Sequence, residues 1–301
     1  MGITLEPSAL RRFVTLTELK VSPKQVGRLY AHAELLAKLP VRVQRWIVHR
    51  AGGDPTMGFV VEPYCLFLAY EIEDPAAAQA LLPPGYRLVP TSMFADGEPR
   101  YCGILGAFNV HASVFWGSRV ELYLIAEHTE TGMLTWIICD YESNTISYDP
   151  GEGFSGASTS RSVVTTTHAG EVLVDVHSTL RPNRLTATAA LPGAAMRALD
   201  QRLWVDGNLA VDYGGRLMDE ASVPFGLIFD PGEMVQALDV PLHATTAANT
   251  FGAGFLATEP FEVACFPYAQ HFLTSSYPLA SPIRDEQALV AAARVHADSL
   301  A

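Results

Sequence analysis

The sequence predicts an α+β domain built on one large curved or closed antiparallel β-sheet, with helices at its periphery. Three observations lead there. Strand-like runs dominate from Phe59 to Tyr148 and return at intervals as far as Phe266. Helical periodicity is confined to residues 24–50, a short alanine-rich stretch and the C-terminal segment. An apolar fraction of 49% against 17% charged residues supplies a large core and excludes a disordered chain. Because β-rich domains often grow long without splitting, residues 1–301 read as a single domain. Within it, 24–50 form a helical N-terminal appendage packed on a β-rich core of 59–301. A seam near residues 190–205 is the alternative, but no shift of composition marks it.

Ser22 and Pro23 cap and start the first helix, whose apolar residues Val26, Leu29, Tyr30, Ala33, Leu36 and Ala37 recur at helical spacing. Pro40 interrupts the pattern, a second helix runs from Val41 to His49, and Gly52–Gly53 ends the region. Tyr64 to Tyr70 is an apolar β run. Asp74 then precedes a short helix from Pro75 to Leu82, which Pro83, Pro84 and Gly85 terminate. Tyr101 to Val110, Arg119 to Ala126 and Met133 to Asp140 supply three strands, with Glu130-Thr131-Gly132 as a tight turn between the last two. Antiparallel neighbours are the simplest topology for them. The glycine-rich segment from Asp149 to Gly156 cannot be a central strand, so it is either a mobile loop or a tightly built wall of a site. Val172 to Thr179, Leu185 to Ala190, Pro224 to Phe229 and Phe261 to Phe266 continue the β character, and Asp285 to Ala297 closes the chain as a helix.

Charge and motif content remove several classes of function. The net charge is −12, from 20 basic and 32 acidic residues. The strongest basic region, Arg42, Arg45, His49 and Arg50, is broken by apolar residues, so no surface is suited to nucleic-acid phosphates. Neither a cleavable N-terminal signal nor an apolar run of about 18 residues is present. The expectation is no membrane partner and cytoplasmic residence. Cys65, Cys102, Cys139 and Cys265 are widely spaced, lack CxxC order and read as buried thiols. His168 and His177 do not make a zinc site, and Gly103 to Gly106 and Gly151 to Gly156 lack the order of a phosphate-binding loop. No GxSxG elbow occurs. No metal and no cofactor are expected.

The polar chemistry concentrates in one region. In the strand that begins at Arg119, alternation places Arg119, Glu121 and Tyr123 on one face and Val120, Leu122 and Leu124 on the other. Arg119 offers a fixed donor fork for a carboxylate or enolate, and Glu121 can accept or deliver a proton. The same residues also suit an ordinary ion pair on a solvated strand. By the same alternation Asp140, Glu142 and Asn144 share a face, as an acid–base pair, an oxygen-ligand site or a polar surface. Asn109 and His111 lie just before this region, where His111 is placed to join Arg119 across a hairpin and relay a proton. His271, followed by Thr274, Ser275, Ser276 and Tyr277, is a further ligand-binding candidate.

Three segments carry a family resemblance. Leu81-Leu-Pro-Pro-Gly-Tyr86 follows an apolar strand and precedes Val89-Pro-Thr-Ser-Met-Phe94; Tyr101-Cys-Gly-Ile-Leu-Gly106 and Gly117-Ser-Arg-Val-Glu-Leu-Tyr123 come after. Over roughly residues 60–190 the order of these segments resembles the acetoacetate decarboxylase-like superfamily. The resemblance implies a cone-like antiparallel β-barrel around an apolar cavity, with Glu121 as the pocket carboxylate. It also implies a lysine that forms a Schiff base with a keto acid, and here the sequence departs. The comparable stretch, Leu134 to Gly153, has no lysine, and Lys20, Lys24 and Lys38 are the only three in the chain.

The expectation is therefore a cofactor-independent lyase, dehydratase, cyclase or isomerase of secondary metabolism. Its substrate would be a small, hydrophobic or carbonyl-containing, polyketide-like molecule, handled by non-covalent general acid–base chemistry. Glu121 or Asp140 would abstract a proton, Arg119 or Tyr123 would stabilise the oxyanion, and His111 would relay. Trp116, Phe108, Tyr141, Glu142, Asn144 and His271, with Phe115 and Phe154, would contact the substrate. The competing readings are a noncatalytic binder of a hydrophobic ligand and an assembly protein, a homo-oligomer among them, that uses residues 24–50 as an arm.

Overall fold

The structure, a computed structural model, describes residues 3–50, 57–149, 151–219, 224–276 and 283–300. The expected helix stop at Gly52–Gly53 and Tyr277 of the polar patch after His271 lie outside the described residues. Three helices open the chain: α1 (Pro7–Lys20), α2 (Pro23–Leu36) and α3 (Val41–Arg50). Pro7 and Pro23 stand in the first turns of α1 and α2, where a missing N–H costs little. Helix α1 is an addition to the sequence reading. Its buried stripe is only Ala9, Phe13 and Thr17, too short for periodicity to reveal.

Strands then follow as β1 (Gly58–Val61), β2 (Cys65–Ile72), β3 (Tyr86–Leu88), β4 (Cys102–Ala112), β5 (Trp116–His128) and β6 (Leu134–Ser143), with the short helix α4 (Pro75–Gln79) between β2 and β3. Asp74 caps α4 by accepting from the amides of Ala76 and Ala77. Next come β7 (Ser147–Asp149), β8 (Gly153–Ser155), β9 (Thr159–Thr166), β10 (Glu171–Ser178), β11 (Arg184–Ala190) and β12 (Ala195–Ala198). The last third holds β13 (Val211–Tyr213), β14 (Phe225–Ile228), β15 (Gln236–Asp239), β16 (Thr245–Asn249), β17 (Leu256–Phe266), β18 (Gln270–Ser276) and the terminal helix α5 (Glu286–Asp298).

Seven strands close on themselves in the order β4-β1-β18-β14-β13-β6-β5, because β4 pairs with β1 on one side and β5 on the other. The fold is thus an α+β barrel with extra strands and peripheral helices. Its pairing is antiparallel except between β13 and β6, where Val211 runs parallel beside Trp136, a departure from the all-antiparallel expectation. β2, β17, β15 and β12 extend the sheet from β4, and β3 extends it from β5. A second, four-stranded antiparallel sheet, β16-β11-β10-β9, covers the barrel's outer face.

The two faces of the barrel strands feed two apolar clusters. Ile104, Phe108, Trp136, Ile138 and Phe272 point inward with Phe67 and Phe266. Leu105, Val120, Leu122 and Ile137 point outward and pack against Val172, Val174, Val176 and Leu185 of the second sheet. A π-helical turn, Arg202–Asp206, drives Trp204 into the inner cluster, its ring 5.0 Å from Phe67 and 5.3 Å from Trp136. Both indoles keep a hydrogen bond, Trp204 Nε1 donating to the Met93 carbonyl at 2.8 Å and Trp136 Nε1 to that of Leu203 at 3.0 Å. That satisfaction is what lets such large groups be buried.

One buried carboxyl in the barrel wall has no ion pair among the described residues. Asp212 on β13 is 5% exposed, and burial lifts it from 3.8 to about 6, partly offset by the Tyr213 amide and the Tyr86 hydroxyl. An acid whose pKa is raised on folding binds more protons folded than unfolded. Stability is therefore fully retained below the unfolded value and falls as pH rises toward the folded one. Between about pH 4 and about pH 6 the cost accumulates to roughly 3 kcal/mol. Urea unfolding of Asp212→Asn against the parent should show the variant gaining stability over that range and holding the gain above it; equal stability at all pH values would contradict the assignment.

Candidate functional site

The alternation of β5 places its polar residues inside the barrel. In the pairing with β4, Arg119 faces Phe108, Glu121 faces Gly106 and Tyr123 faces Ile104, all on the inner face. Glu121 and Arg119 are 6% and 9% exposed. Gly106 makes room for this group: a Cβ there would sit 2.8 Å from Phe67 Cε1 and 3.2 Å from Tyr123 Cε2.

Each Glu121 oxygen accepts one hydrogen bond, Oε1 from Arg119 Nε and Oε2 from the Tyr123 hydroxyl. Arg119 spends another donor on Ser147 Oγ at 2.8 Å, and its guanidinium lies over the Tyr141 ring at 4.0 Å. Removing two charges from water costs several kcal/mol per ion, repaid only when the remaining donors and acceptors are met. Here they are. Burial works to lower the Arg119 pKa, but the charges of Glu121 and the nearby phenols outweigh it and the guanidinium stays ionised. Burial, reinforced by Glu121, pushes the Tyr123 phenol well up, so Tyr123 remains a donor. Tyr213 of β13 is raised by burial in the same group.

Tyr141 connects this interior to the β7–β8 hairpin. Its hydroxyl donates to Asp149 Oδ2 at 3.1 Å and lies 3.1 Å from Ser155 Oγ. Burial raises the Asp149 carboxyl, partly offset by the Glu152 amide and Tyr141. Helix α3 holds the same hairpin from outside: Gln44 Oε1 accepts from the Phe154 amide at 2.7 Å, and Arg45 Nη2 donates to the Gly151 carbonyl at 2.7 Å. The hairpin is therefore held at Asp149, Gly151, Phe154 and Ser155. Ser147, Asp149, Ser155, Tyr213 and Gln44 went unremarked as candidates in the sequence. Only the glycine-rich run flagged their neighbourhood.

The remaining candidates lie elsewhere. Asp140 and Glu142 do not join Glu121. Trp136 and Ile138 point inward, but a bulge between the Leu122–Asp140 and Tyr123–Ile138 pairs inserts Cys139 and reverses the alternation. Tyr141 and Ser143 turn inward, and Asp140 and Glu142 turn outward beside Leu122 and Val120. There Arg216 binds Asp140 at 2.7 Å, Arg181 meets Glu142 at 3.4 Å, and Asn183 bridges both carboxylates at 2.8 and 2.9 Å. Asn144 is exposed, and its Oδ1 accepts from the Ser118 amide at 2.8 Å.

His111 is corrected in the same way. It pairs with Trp116, on the opposite face from Arg119, stacks on that indole at 4.6 Å and meets Glu62 at 2.7 Å. Trp116 stands at the rim, 41% exposed, with Nε1 donating to the Val21 carbonyl at 3.1 Å. His271 sits on the barrel exterior, its Nδ1 2.8 Å from Glu233 and its Nε2 3.3 Å from Glu18 of α1. Of the expected substrate contacts, Tyr123, Phe108 and Tyr141 share the interior with Glu121.

Among the described residues no group of three or more His, Cys, Asp or Glu is arranged to hold a metal ion. Two clefts, of about 280 and about 90 Å³, are lined by groups such as Met133, Arg202 and Asp206 and by Glu62, Tyr64 and Asn109 respectively. Neither is lined by Glu121. No helix among the described residues is long and apolar enough to cross a membrane.

Removing Glu121 alone should expose the cost of that buried charge. Glu121→Leu leaves Arg119 unpaired and should lower unfolding free energy by about 3–5 kcal/mol, whereas Arg119→Met with Glu121→Leu should recover most of the loss. Urea denaturation of the three proteins measures this, and a neutral single variant would refute the pairing.

No protein-family model matches the chain, and no curated protein matches it. Among solved structures, it is similar to the crystal structure of acetoacetate decarboxylase from Legionella pneumophila, at 11% identity and a TM-score of 0.47. The alignment covers 77% of this chain and 93% of that one.

Proposed function

We propose that this chain is a small-molecule enzyme acting on a carbonyl-containing, mainly hydrophobic substrate by non-covalent general acid–base chemistry, of lyase or isomerase type. The observation that supports it most is the carboxylate of Glu121, held between a guanidinium and a phenol on the inner face of an otherwise apolar barrel. Arg119 and Tyr123 offer donors suited to a carbonyl oxygen. When substrate oxygen takes one of them, Glu121 loses that hydrogen bond and becomes the base for the adjacent carbon. The same donors then hold the enolate oxygen, where a low-dielectric setting strengthens them. Reprotonation at another carbon gives isomerisation, and loss of a β-substituent gives elimination.

Placement in the acetoacetate decarboxylase-like superfamily is part of this proposal and rests on the segments at 81–86, 101–106 and 117–123. The chemistry differs from a Schiff-base decarboxylase. Lys20 ends α1, Lys24 lies on the exposed side of α2, and Lys38 is exposed just beyond it. No lysine among the described residues therefore faces Glu121.

The test is deuterium uptake at the α-carbon of a panel of ketones and β-hydroxy ketones in D2O, followed by NMR. Glu121→Gln should slow exchange by about 10²–10⁴-fold, and Tyr123→Phe by about 10²-fold. Borohydride with a keto acid should leave no adduct. A covalent adduct, or exchange indifferent to Glu121→Gln, would overturn the reading, and ligand binding without exchange would make the chain a binding protein.

A further inference from the structure

Charge is unevenly divided along this chain. Residues 20–50 carry seven lysines and arginines and one acid, Glu34, a balance of +6 in a chain of −12, which leaves −18 on the remainder. Helices α2 and α3 turn that charge outward. Lys24, Arg28, His32 and Leu35 follow one another at helical spacing on α2 and are all exposed; Arg42, Trp46 and Arg50 do the same on α3. Lys24, Arg28, Lys38 and Arg42 have no ion pair among the described residues. Leu35 is 62% exposed and Trp46 58%, with the Arg50 guanidinium 5.2 Å over the indole. The opposite side of α3 is occupied, since Gln44 is buried and holds the β7–β8 hairpin. Basic, aromatic and leucine side chains exposed on two consecutive helices have the composition of an interface centre.

The complement of this face is on the same chain. Glu71, Glu73, Asp74, Glu98 and Glu259 are exposed around the end of β2, where among the described residues Arg100 is the one cation that pairs with them, binding Glu71 and Glu98. Leu256 and Pro260 of β17 pair with Ile72 and Tyr70, which brings Glu259 beside Glu71, and Glu73 is tied by its amide to Phe255. The arm and the acidic cluster lie at opposite ends of the barrel. Trp116 fastens the base of the arm to the far end of β4, while Glu71 pairs with Cys102 at its start. The eleven residues of β4 separate the two ends by on the order of 35 Å. An arm therefore cannot reach the acids of its own chain.

We infer that the outer face of α2 and α3 docks on the acidic end of a second copy of this chain, in an antiparallel two-fold dimer. Antiparallel pairing brings each arm to the other copy's acids, makes the contact twice and closes the assembly, the commonest symmetry of homo-oligomers. An anionic bilayer suits the arm less well, because the −18 remainder of the chain would be repelled from it.

Light scattering on the eluting 301-residue protein tests this. At about 50 mM NaCl the mass should be twice 32.6 kDa, and at about 500 mM, where exposed charges are screened, the dimer should weaken at least about tenfold. Arg42→Glu with Arg50→Glu should give single chains at low salt, as should Glu73→Lys with Glu259→Lys, each with an unchanged circular dichroism spectrum. Mixing the two variants should restore a dimer. A single-chain mass at low salt, or a dimer indifferent to both substitutions, would overturn the inference. So would a single-chain protein that sediments with phosphatidylserine vesicles through Arg42 and Arg50, which would assign the arm to a membrane.

Discussion

The ion pair of Arg119 and Glu121 inside the barrel is the constraint to which its surroundings answer. A pair so enclosed is tolerable only with compensating hydrogen bonds, and the neighbouring elements supply them one at a time. Tyr123 supplies the hydrogen bond that Arg119 cannot, Ser147 takes a second guanidinium donor, and the Tyr141 ring covers the cation. Gly106 on the paired strand leaves the room that Phe67 and Tyr123 need. The β7–β8 hairpin fixes Tyr141 through Asp149 and Ser155, and α3 fixes that hairpin through Gln44 and Arg45. A chain of contacts thus leads from the helical arm to the carboxylate in the core.

The bulge at Cys139 divides the polar residues of β6 between two tasks. Tyr141 turns toward Arg119, while Asp140 and Glu142 turn toward Arg216, Arg181 and Asn183 on the outside. The outer group ties the barrel to the turn between β10 and β11. Arg181 and Arg216 also converge on Glu152, at 3.2 and 2.8 Å, so the β7–β8 turn is held from that side as well. Polar residues adjacent in sequence here serve different sides of one strand.

Much of this was legible in the residues. Alternation along β5 identified Arg119, Glu121 and Tyr123 as one face, because a regular strand has a period of two and nothing interrupts it there. The α+β barrel followed from the density of strand signals, and the helices at 23–36 and 41–50 from their prolines and spacing. What was not legible depended on pairing across strands. Whether His111 shares a face with Arg119 is set by the register of the β4–β5 hairpin, which pairs it with Trp116. The side taken by Asp140 depended on a one-residue bulge that leaves no mark on composition. Tyr213 escaped notice because β13 is three residues long and joins the barrel by a parallel pairing from far along the chain. Helix α1 escaped because its buried stripe is narrow.

The central claim is that Glu121, Arg119 and Tyr123 form a working site and not merely a structural ion pair. A crystal structure with a bound hydroxamate analogue of an enolate tests it most directly. The account predicts the analogue inside the barrel, its oxygen within about 2.6–3.2 Å of the Tyr123 hydroxyl or the Arg119 guanidinium, and the carbon that would lose a proton facing Glu121. An analogue bound only on the outside, with the three side chains still satisfied by one another, would contradict it.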